Sequence, residues 1–346
     1  MNMTETQRNF LNKVSNTVFK SQNAAEISDA VLNLARSQNM YHLMGVYDDE
    51  YHKNLMHIFR TEEATRRICS IFENAGIEYV PIKGAVIRNL YPEPWMRSSC
   101  DIDVLVHEKD VDCACSLLAE AGGLVAEKRG KHDVQITVFD ITLELHFTLN
   151  YGEDNILDSA WEHVTYGKFD DAFFYYYIIS HMKKHFICGA TGVRSILDLQ
   201  FVPRNHTLTD GTANEKFASM CEKLSDVWFK GEAADDDGLE LFGDMILRGG
   251  TIGNTRQRSE ISRVRNGAGT TLKSRLFLPY SELVRKYPSL EKRKWMLPLY
   301  EIKRVFDMIC AGRLGAKVRE FGYITKNDPQ RDEKIEKLLK KIGIEI

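Results

Sequence analysis

Two aspartates one residue apart in an apolar run constrain this chain more than any other feature. Residues 101–106 read DIDVLV, and such a short run of aliphatic residues predicts a buried strand. Because side chains alternate along a strand, Asp101 and Asp103 share one face while Ile102 and Val104 share the other. Two carboxylates at the edge of a buried strand need a cation to balance their charge. The run therefore predicts a metal-binding site.

A third acid is expected from a pair of alternating segments further along the chain. Residues 133–139 and 141–149 alternate apolar and polar side chains and are close enough in sequence to form a hairpin. Glu144 lies on the polar face of the second segment, where it could complete a magnesium site and act as a general base. Asp140, between the two segments, is the competing candidate. Three acids on two strands predict two divalent ions, one to activate a hydroxyl and one to neutralise pyrophosphate.

The predicted phosphate contacts lie in a turn and in the segment before the paired acids. A short strand runs into Lys83, and Gly84 opens a helical turn whose first amides could face phosphates. Arg97, Ser98 and Ser99 directly precede the acids, where guanidinium and hydroxyl groups can reach phosphate oxygens. Two plainer interpretations stay open: a surface position for Lys83, and for Arg97 an ion pair that braces the loop.

The order and spacing of these motifs match a known pattern. The matching residues are Lys83-Gly84, Tyr91-Pro92, Arg97, Asp101-Ile102-Asp103, Leu105-Val106 and Glu144-Leu145-His146. In this order they resemble the uncharacterised nucleotidyltransferase family of the polymerase β superfamily, a bacterial group that also resembles small-molecule antibiotic nucleotidyltransferases. In the second half of the chain the similar positions are His181, His185, Arg194 and Asp198, with the segments FLPY and RKYPSL.

The helical periodicity and the resemblance together predict an α+β fold. The expected nucleotidyltransferase core is a small mixed β-sheet at 76–157, flanked by an N-terminal helical segment at 1–75 and a larger C-terminal helical domain at 158–346. The resemblance implies Mg²⁺- or Mn²⁺-dependent transfer of a nucleoside monophosphate from a nucleoside triphosphate to a hydroxyl acceptor, with release of pyrophosphate. The residues that would line the substrate cleft are His146, His181, His185, Arg194 and Asp198.

Two pairs of residues four positions apart lie in the predicted C-terminal helices. His181 and His185 share a helix face, as zinc ligands do, yet no third protein ligand accompanies them. Packing beside the cleft and hydrogen bonding to substrate are the other interpretations of this pair. Arg194 and Asp198 predict an intrahelical ion pair that could position His185.

Residues 203–253 carry no readable motif and are interpreted as a loop region. They include the acidic run EAADDDGLE and the start of GGTIGNTRQR, which is glycine-rich and expected to be mobile. The arginine-rich span 256–275 could contact tRNA or another polyanion, but the acids at 235–237 favour a solvated face. Nucleic acid is therefore a less favoured partner.

Charge, apolar runs and cysteine usage predict a cytoplasmic protein without a membrane partner. The formal net charge of −3 gives no general attraction to nucleic acid or anionic lipid. Apolar runs are far shorter than a membrane span, and the N-terminus lacks a signal-peptide pattern. The 7 cysteines are scattered without a CxxC pair, so free thiols are expected rather than a zinc ribbon or a disulfide framework.

Three functions stay open at this point. The first is nucleotidyl transfer to an acceptor that the sequence does not identify, whether small molecule, protein or RNA. The second is a nucleotide-binding or interaction protein without turnover, because Lys83-Gly84 stands where superfamily members generally carry Gly-Ser. The third is a toxin-like enzyme that nucleotidylates a protein or tRNA.

Overall fold

The computed structural model describes residues 3–125, 129–150, 152, 154–233, 236–251, 253–310, 312, 314–326 and 328–346. The chain forms two compact units. The first comprises residues 1–184 and 192–235, and the second comprises residues 185–191 and 236–346. The domain boundaries that the sequence indicates after residues 75 and 157 stay predictions.

Three helices begin the first unit: α1 (Glu5–Phe19), α2 (Asp29–Ser37) and α3 (Asp49–Ala75). Each begins at a side-chain cap, because Thr4, Ser28 and Asp48 accept hydrogen bonds from backbone N–H groups of the first turn. Helix α3 ends where Gly76 takes a left-handed conformation with φ of 67°, which glycine adopts without strain. The N-terminal helices predicted from periodicity are therefore present.

A five-stranded mixed sheet follows these helices. Its strands are β1 (Tyr79–Ile82), β2 (Asp101–Val106), β3 (Leu124–Val125), β4 (Asp133–Val138) and β5 (Ile141–His146), in the spatial order β1-β2-β5-β4-β3. The short α4 (Gly84–Ile87) lies between β1 and β2, and α5 (Val111–Glu120) follows β2. Strands β2 and β5 are parallel, and the other neighbours are antiparallel. This small mixed sheet among many helices confirms the predicted α+β fold.

The two faces of the sheet differ in polarity. Apolar side chains of β2 and β5 pack with α3 and α5 in a buried cluster that includes Ile68, Phe72, Ile102, Val104, Ala114, Leu118, Leu143 and Leu145. Asp103 lies opposite Glu144 in the parallel register of β2 and β5. Because side chains alternate along each strand, both carboxylates lie on the face away from this core.

The first unit is completed by further helices and one short hairpin. These elements are α6 (Asn155–Asp158), β6 (Val164–Thr165), β7 (Lys168–Phe169), α7 (Asp171–Ile187), α8 (Val193–Asp198) and α9 (Glu215–Phe229). Strands β6 and β7 pair with each other and not with the large sheet. The last three residues of α7 belong to the second unit.

The second unit is helical in its described residues. Its helices are α10 (Asp237–Gly249), α11 (Thr255–Asn266), α12 (Ala268–Leu276), α13 (Tyr280–Lys286), α14 (Leu297–Cys310), α15 (Leu314–Thr325) and α16 (Pro329–Lys341). Arginines of the basic span form ion pairs inside this unit: Arg256 lies 2.8 Å from Glu260, and Arg263 lies 2.5 Å from Asp332. Across the part of the chain that the structure describes, no helix combines the length and apolarity needed to cross a membrane.

The expectation of a loop region over residues 203–253 is wrong. Helix α9 and helix α10 both lie within it, and α11 begins inside the glycine-rich segment that follows. The buried side of α9 carries Phe217, Cys221, Leu224 and Trp228, which recur every three or four residues. The helical periodicity is therefore present in the sequence, but polar and acidic stretches on both sides conceal it.

Candidate active site

The register of β2 and β5 brings three metal-ligating side chains together. Asp103 lies opposite Glu144, and His146 follows two residues later on the same face of β5. One ligand atom from each of Asp103, Glu144 and His146 lies within 4.8 Å of the other two. Carboxylate oxygens and an imidazole nitrogen form a donor set for a divalent ion. These three residues could therefore hold a metal ion.

The ammonium group of Lys83 lies among these ligands. Its Nζ lies 2.5 Å from Asp103 Oδ1, 3.4 Å from His146 Nε2 and 3.9 Å from Glu144 Oε2. The side chain is only 13% exposed, so a surface position for Lys83 is excluded. The backbone at Lys83 has a positive φ of 48° in the turn between β1 and α4. This turn directs the lysine at the acids.

Asp103 and His146 form a buried, charge-assisted contact. His146 Nε2 lies 2.9 Å from Asp103 Oδ1. Burial alone would raise the pKa of Asp103, but the Lys83 ammonium and the His146 ring hold that pKa well below its usual range. Burial also lowers the pKa of His146, but the neighbouring carboxylates of Asp103 and Glu144 outweigh burial and leave it raised. Asp103 is therefore held as a carboxylate.

Asp101 and Glu144 differ in what surrounds them. Burial, reinforced by the charges of Asp103 and Glu144, raises the pKa of Asp101. The His146 ring, whose Nε2 lies 3.6 Å from Glu144 Oε2, lowers the pKa of Glu144. Of the acids on this face, only Asp101 has a raised pKa, so the protein stabilises its charged form least. Among the described residues, Asp101 is not part of the group of three side chains that could ligate one metal ion.

Asp140 lies apart from these acids, in the turn that joins β4 to β5. Phe139 and Asp140 form a two-residue loop with φ of 53° and 60°, and Val138 pairs with Ile141. Two positive φ values are those of a type I′ turn, whose twist matches antiparallel strands. Asp140 is exposed, and among the described residues it is not part of the metal-ligating group. Of the two candidates for a third acid, Glu144 is the one that the structure brings beside Asp103.

Arg97 is buried in an ion pair that braces the segment before β2. Its Nη2 donates to Asp198 Oδ2 at 3.1 Å, and its Nη1 donates to Ser99 Oγ at 2.6 Å. The neighbouring Ser98 Oγ donates to the backbone carbonyl of Asn39 at 2.6 Å. Of the two interpretations of Arg97, the structure shows the brace. A phosphate contact by Arg97, Ser98 or Ser99 stays a prediction.

Gly84 packs directly against this braced segment. A Cβ at this position would meet Arg97 Nη1 at 2.5 Å and would come closer still to Ser99 Oγ. The helix that it opens, α4, has only 4 residues. Glycine here therefore permits close packing of the turn, and phosphate binding by its amide stays a prediction.

The expectation of an ion pair between Arg194 and Asp198 is wrong. Asp198 pairs with Arg97 and accepts a hydrogen bond from the Tyr91 hydroxyl at 2.7 Å. Arg194 Nη1 instead donates to the backbone carbonyl of Ser98 at 2.9 Å. The carboxylate of Asp198, at the end of α8, therefore pairs with the buried guanidinium of Arg97 and not with that of Arg194. Both α8 side chains thus hold the segment that leads into β2.

His181 and His185 lie on α7, one in each unit. Both are half-buried. Within the described ranges, neither belongs to a group of three side chains that could ligate a metal. A zinc site at this pair therefore has no support, and substrate contact stays a prediction.

Sequence reasoning missed two features of this site. One is His146 as a ligand beside Asp103, and its signal was present, because His146 lies two residues after Glu144 on the same face of one strand. The other is the approach of Lys83 to the acids. That approach depends on a positive φ at Lys83, and a lysine in a sequence gives no sign of such a backbone conformation.

The chain matches the model of a known protein family. The family described as uncharacterised nucleotidyltransferase has a model that matches residues 29–224, more than half of the chain. The chain belongs to this nucleotidyltransferase family. The matched range contains all five strands of the large sheet and the acids on it. No curated protein and no solved structure gives a significant match.

Membership of a nucleotidyltransferase family implies a nucleoside triphosphate as substrate and a divalent ion as cofactor, and the residues present fit such an ion. The carboxylates of Asp103 and Glu144 in the metal-ligating group are hard oxygen ligands of the kind that Mg²⁺ takes. His146 adds a nitrogen donor, which Mn²⁺ accepts more readily than Mg²⁺. The donor set therefore suits either ion.

Proposed function

We propose that this nucleotidyltransferase moves a nucleoside monophosphate from a nucleoside triphosphate to a hydroxyl acceptor in the cytoplasm, with Mg²⁺ or Mn²⁺ and release of pyrophosphate. The observation that carries the proposal is the alignment of Asp103 with Glu144 across parallel β2 and β5. Asp101 lies on the same face of β2. The alignment falls inside the range that the family matches.

The bonds that change are those of nucleotidyl transfer. The acceptor oxygen forms a bond to the α-phosphorus, the bond from that phosphorus to the bridging oxygen breaks, and pyrophosphate leaves. A bound divalent ion would neutralise phosphate charge. Asp103 is only 4% exposed, whereas Glu144 is 25% exposed. Glu144 is therefore the carboxylate that an acceptor hydroxyl can reach, and it takes the acceptor proton.

The test is label transfer with matched acid variants. The chain is incubated with nucleoside triphosphates labelled on the α-phosphate, Mg²⁺ or Mn²⁺, and pools of small molecules, protein or RNA. Labelled acceptor and pyrophosphate are expected. Asp103→Asn should reduce both by roughly a hundredfold or more, because loss of a ligand carboxylate removes several kcal/mol of charge stabilisation. Asp112→Asn, which changes an exposed acid on α5, should leave both unchanged. Equal transfer by Asp103→Asn would refute the proposal.

A second candidate is a nucleotide-binding protein without turnover. The ion pair between Lys83 and Asp103 favours it, since this pair satisfies a carboxylate that the reaction assigns to a metal ion. In that case a nucleoside triphosphate with Mg²⁺ should raise the melting temperature, because it binds only the folded chain. No label transfer to any pool should accompany the rise.

The acceptor pool that takes the label also separates a toxin-like enzyme from one that modifies small molecules. Transfer to protein or tRNA, with growth arrest on expression that Asp101→Ala abolishes, would identify the toxin-like activity. Transfer confined to the small-molecule pool, without growth arrest, would exclude it.

A further inference from the structure

We infer that Lys83 serves as a built-in cation in place of a second metal ion, so that this site binds one divalent ion. Three carboxylates on two strands are the usual setting for two ions. The inference rests on the proposed function, because it concerns the ions of that same reaction. It assigns one of the two cation positions to the protein itself.

The Lys83 ammonium lies among the metal-ligating atoms. The ligand atoms of Asp103, Glu144 and His146 surround one position, and Lys83 Nζ lies within 3.9 Å of an atom of each. Asp103 Oδ1 is shared between Lys83 at 2.5 Å and His146 at 2.9 Å. An ion on that oxygen would lie about 2.1 Å from it. It would then stand beside the ammonium in a buried place, where two positive charges repel strongly.

The fold holds Lys83 in place at both ends of its turn. Ile82 is fixed opposite Asp103 by the pairing of β1 with β2. Gly84 packs against Arg97 and Ser99 so closely that no Cβ fits. The backbone of Lys83 itself has a φ of 48° and a ψ of −119°, which a lysine adopts only where its surroundings enforce it. Lys83 is therefore directed at the acids by the fold.

Carboxylate oxygens on β2 remain for a metal ion. Asp103 Oδ2 and the Asp101 carboxylate lie on the same face of β2, two residues apart. The hydrogen bonds to Asp103 from Lys83 and His146 both go to Oδ1. These oxygens would hold the one ion, whose shell water and phosphate oxygens would complete, as is usual for Mg²⁺. One ion and one ammonium then face three carboxylates.

The test counts bound Mn²⁺ by electron paramagnetic resonance, with and without a triphosphate analogue carrying a methylene bridge between the α and β phosphorus atoms. The parent chain should bind one Mn²⁺ in both conditions, without the spectral coupling of a Mn²⁺ pair. Lys83→Met, which keeps the backbone strain but removes the charge, should bind two. Lys83→Arg, which keeps the charge, should bind one. Lys83→Gln repeats the neutral change in case Lys83→Met does not fold.

Two Mn²⁺ ions in the parent chain, or one ion in both folded neutral variants, would overturn the inference. Its failure can be told apart from failure of the proposed function. A parent chain that transfers label but binds two ions retains the function and loses the inference. If the parent chain binds one Mn²⁺ and the neutral variants bind two, but no label is transferred, the inference stands and the proposed function fails.

Discussion

Arg97 donates to both carboxylate oxygens of Asp198, although 101 positions separate the two residues: Nε lies 3.3 Å from Oδ1, and Nη2 lies 3.1 Å from Oδ2. Both side chains are buried. We expect Arg97→Met to lower the free energy of unfolding by about 3–5 kcal/mol, because it leaves the Asp198 charge buried without its partner. Urea denaturation followed by circular dichroism measures the change.

The double variant Arg97→Met/Asp198→Leu is the matched control for this ion pair. It removes both charges, so it should be more stable than either single variant. If the loss of stability in the double variant equals the sum of the losses in the two single variants, the pair does not act as a unit.

Tyr91→Phe removes one hydrogen bond to Asp198 and should lower the free energy of unfolding by about 1.5–3 kcal/mol, because the acceptor is charged.

The close packing at Gly84, the first residue of α4, can be tested by adding a methyl group there. Gly84→Ala should destabilise the chain by about 1–3 kcal/mol, because the added methyl overlaps Ser99 Oγ and crowds Arg97. Adding Ser99→Ala removes the oxygen that is overlapped. The double variant should therefore lose less stability than the two single changes together, which thermal unfolding can show. If the stability losses of the two single variants simply add in the double variant, the added methyl group does not overlap Ser99 Oγ in the folded chain.

Glu144 and Asp140 are the two acids whose variants test which one serves as the general base. Glu144→Gln should reduce nucleotidyl transfer by about 10²–10⁴-fold, the usual contribution of a general base, while the chain stays folded. Asp140→Asn changes an exposed acid in the β4–β5 turn and should leave transfer unchanged. Rates of label transfer at saturating triphosphate distinguish the two. Comparable losses in both variants would remove Glu144 from its assigned role.

The placement of the acids on the sheet could be predicted from sequence because strand alternation is strict. Once residues 101–106 and 141–146 are strands, Asp101 and Asp103 share one face of β2, and Glu144 and His146 share one face of β5. Short-range alternation also predicts the apolar face that packs on α3. What it leaves open is which strands are neighbours, and the parallel pairing of β2 with β5 supplies that link.

The surroundings of the acids could not be predicted because they depend on long-range contacts and unusual backbone. Arg97 and Asp198 are 101 positions apart, so no local spacing in the sequence predicts their ion pair. The four-residue spacing of Arg194 and Asp198 instead suggested a local pair that does not form. Lys83 reaches Asp103 through a positive φ, and Phe139 also has a positive φ in its turn, where glycine or asparagine is the usual signal.

His42 makes stability depend on pH through an imidazole that is buried in its neutral form. Its Nε2 lies 3.1 Å from the Met96 carbonyl and donates to it, and its Nδ1 has no hydrogen-bond partner among the described residues. Burial, with a further contribution from the Arg194 charge, lowers the pKa of His42 to about 4. In the unfolded chain a histidine has a pKa of about 6.5. Between these values only the unfolded chain binds the proton.

The stability that His42 contributes is therefore fully present above pH about 6.5 and is lost as pH falls to about 4, by roughly 3 kcal/mol in all. His42→Gln keeps a donor for the Met96 carbonyl but does not titrate. We expect the free energy of unfolding of the parent to fall more steeply over this window than that of His42→Gln. Urea midpoints at a series of pH values measure both slopes. Parallel slopes would show that the imidazole is protonated equally in the folded and unfolded chain, and so is not kept neutral by burial.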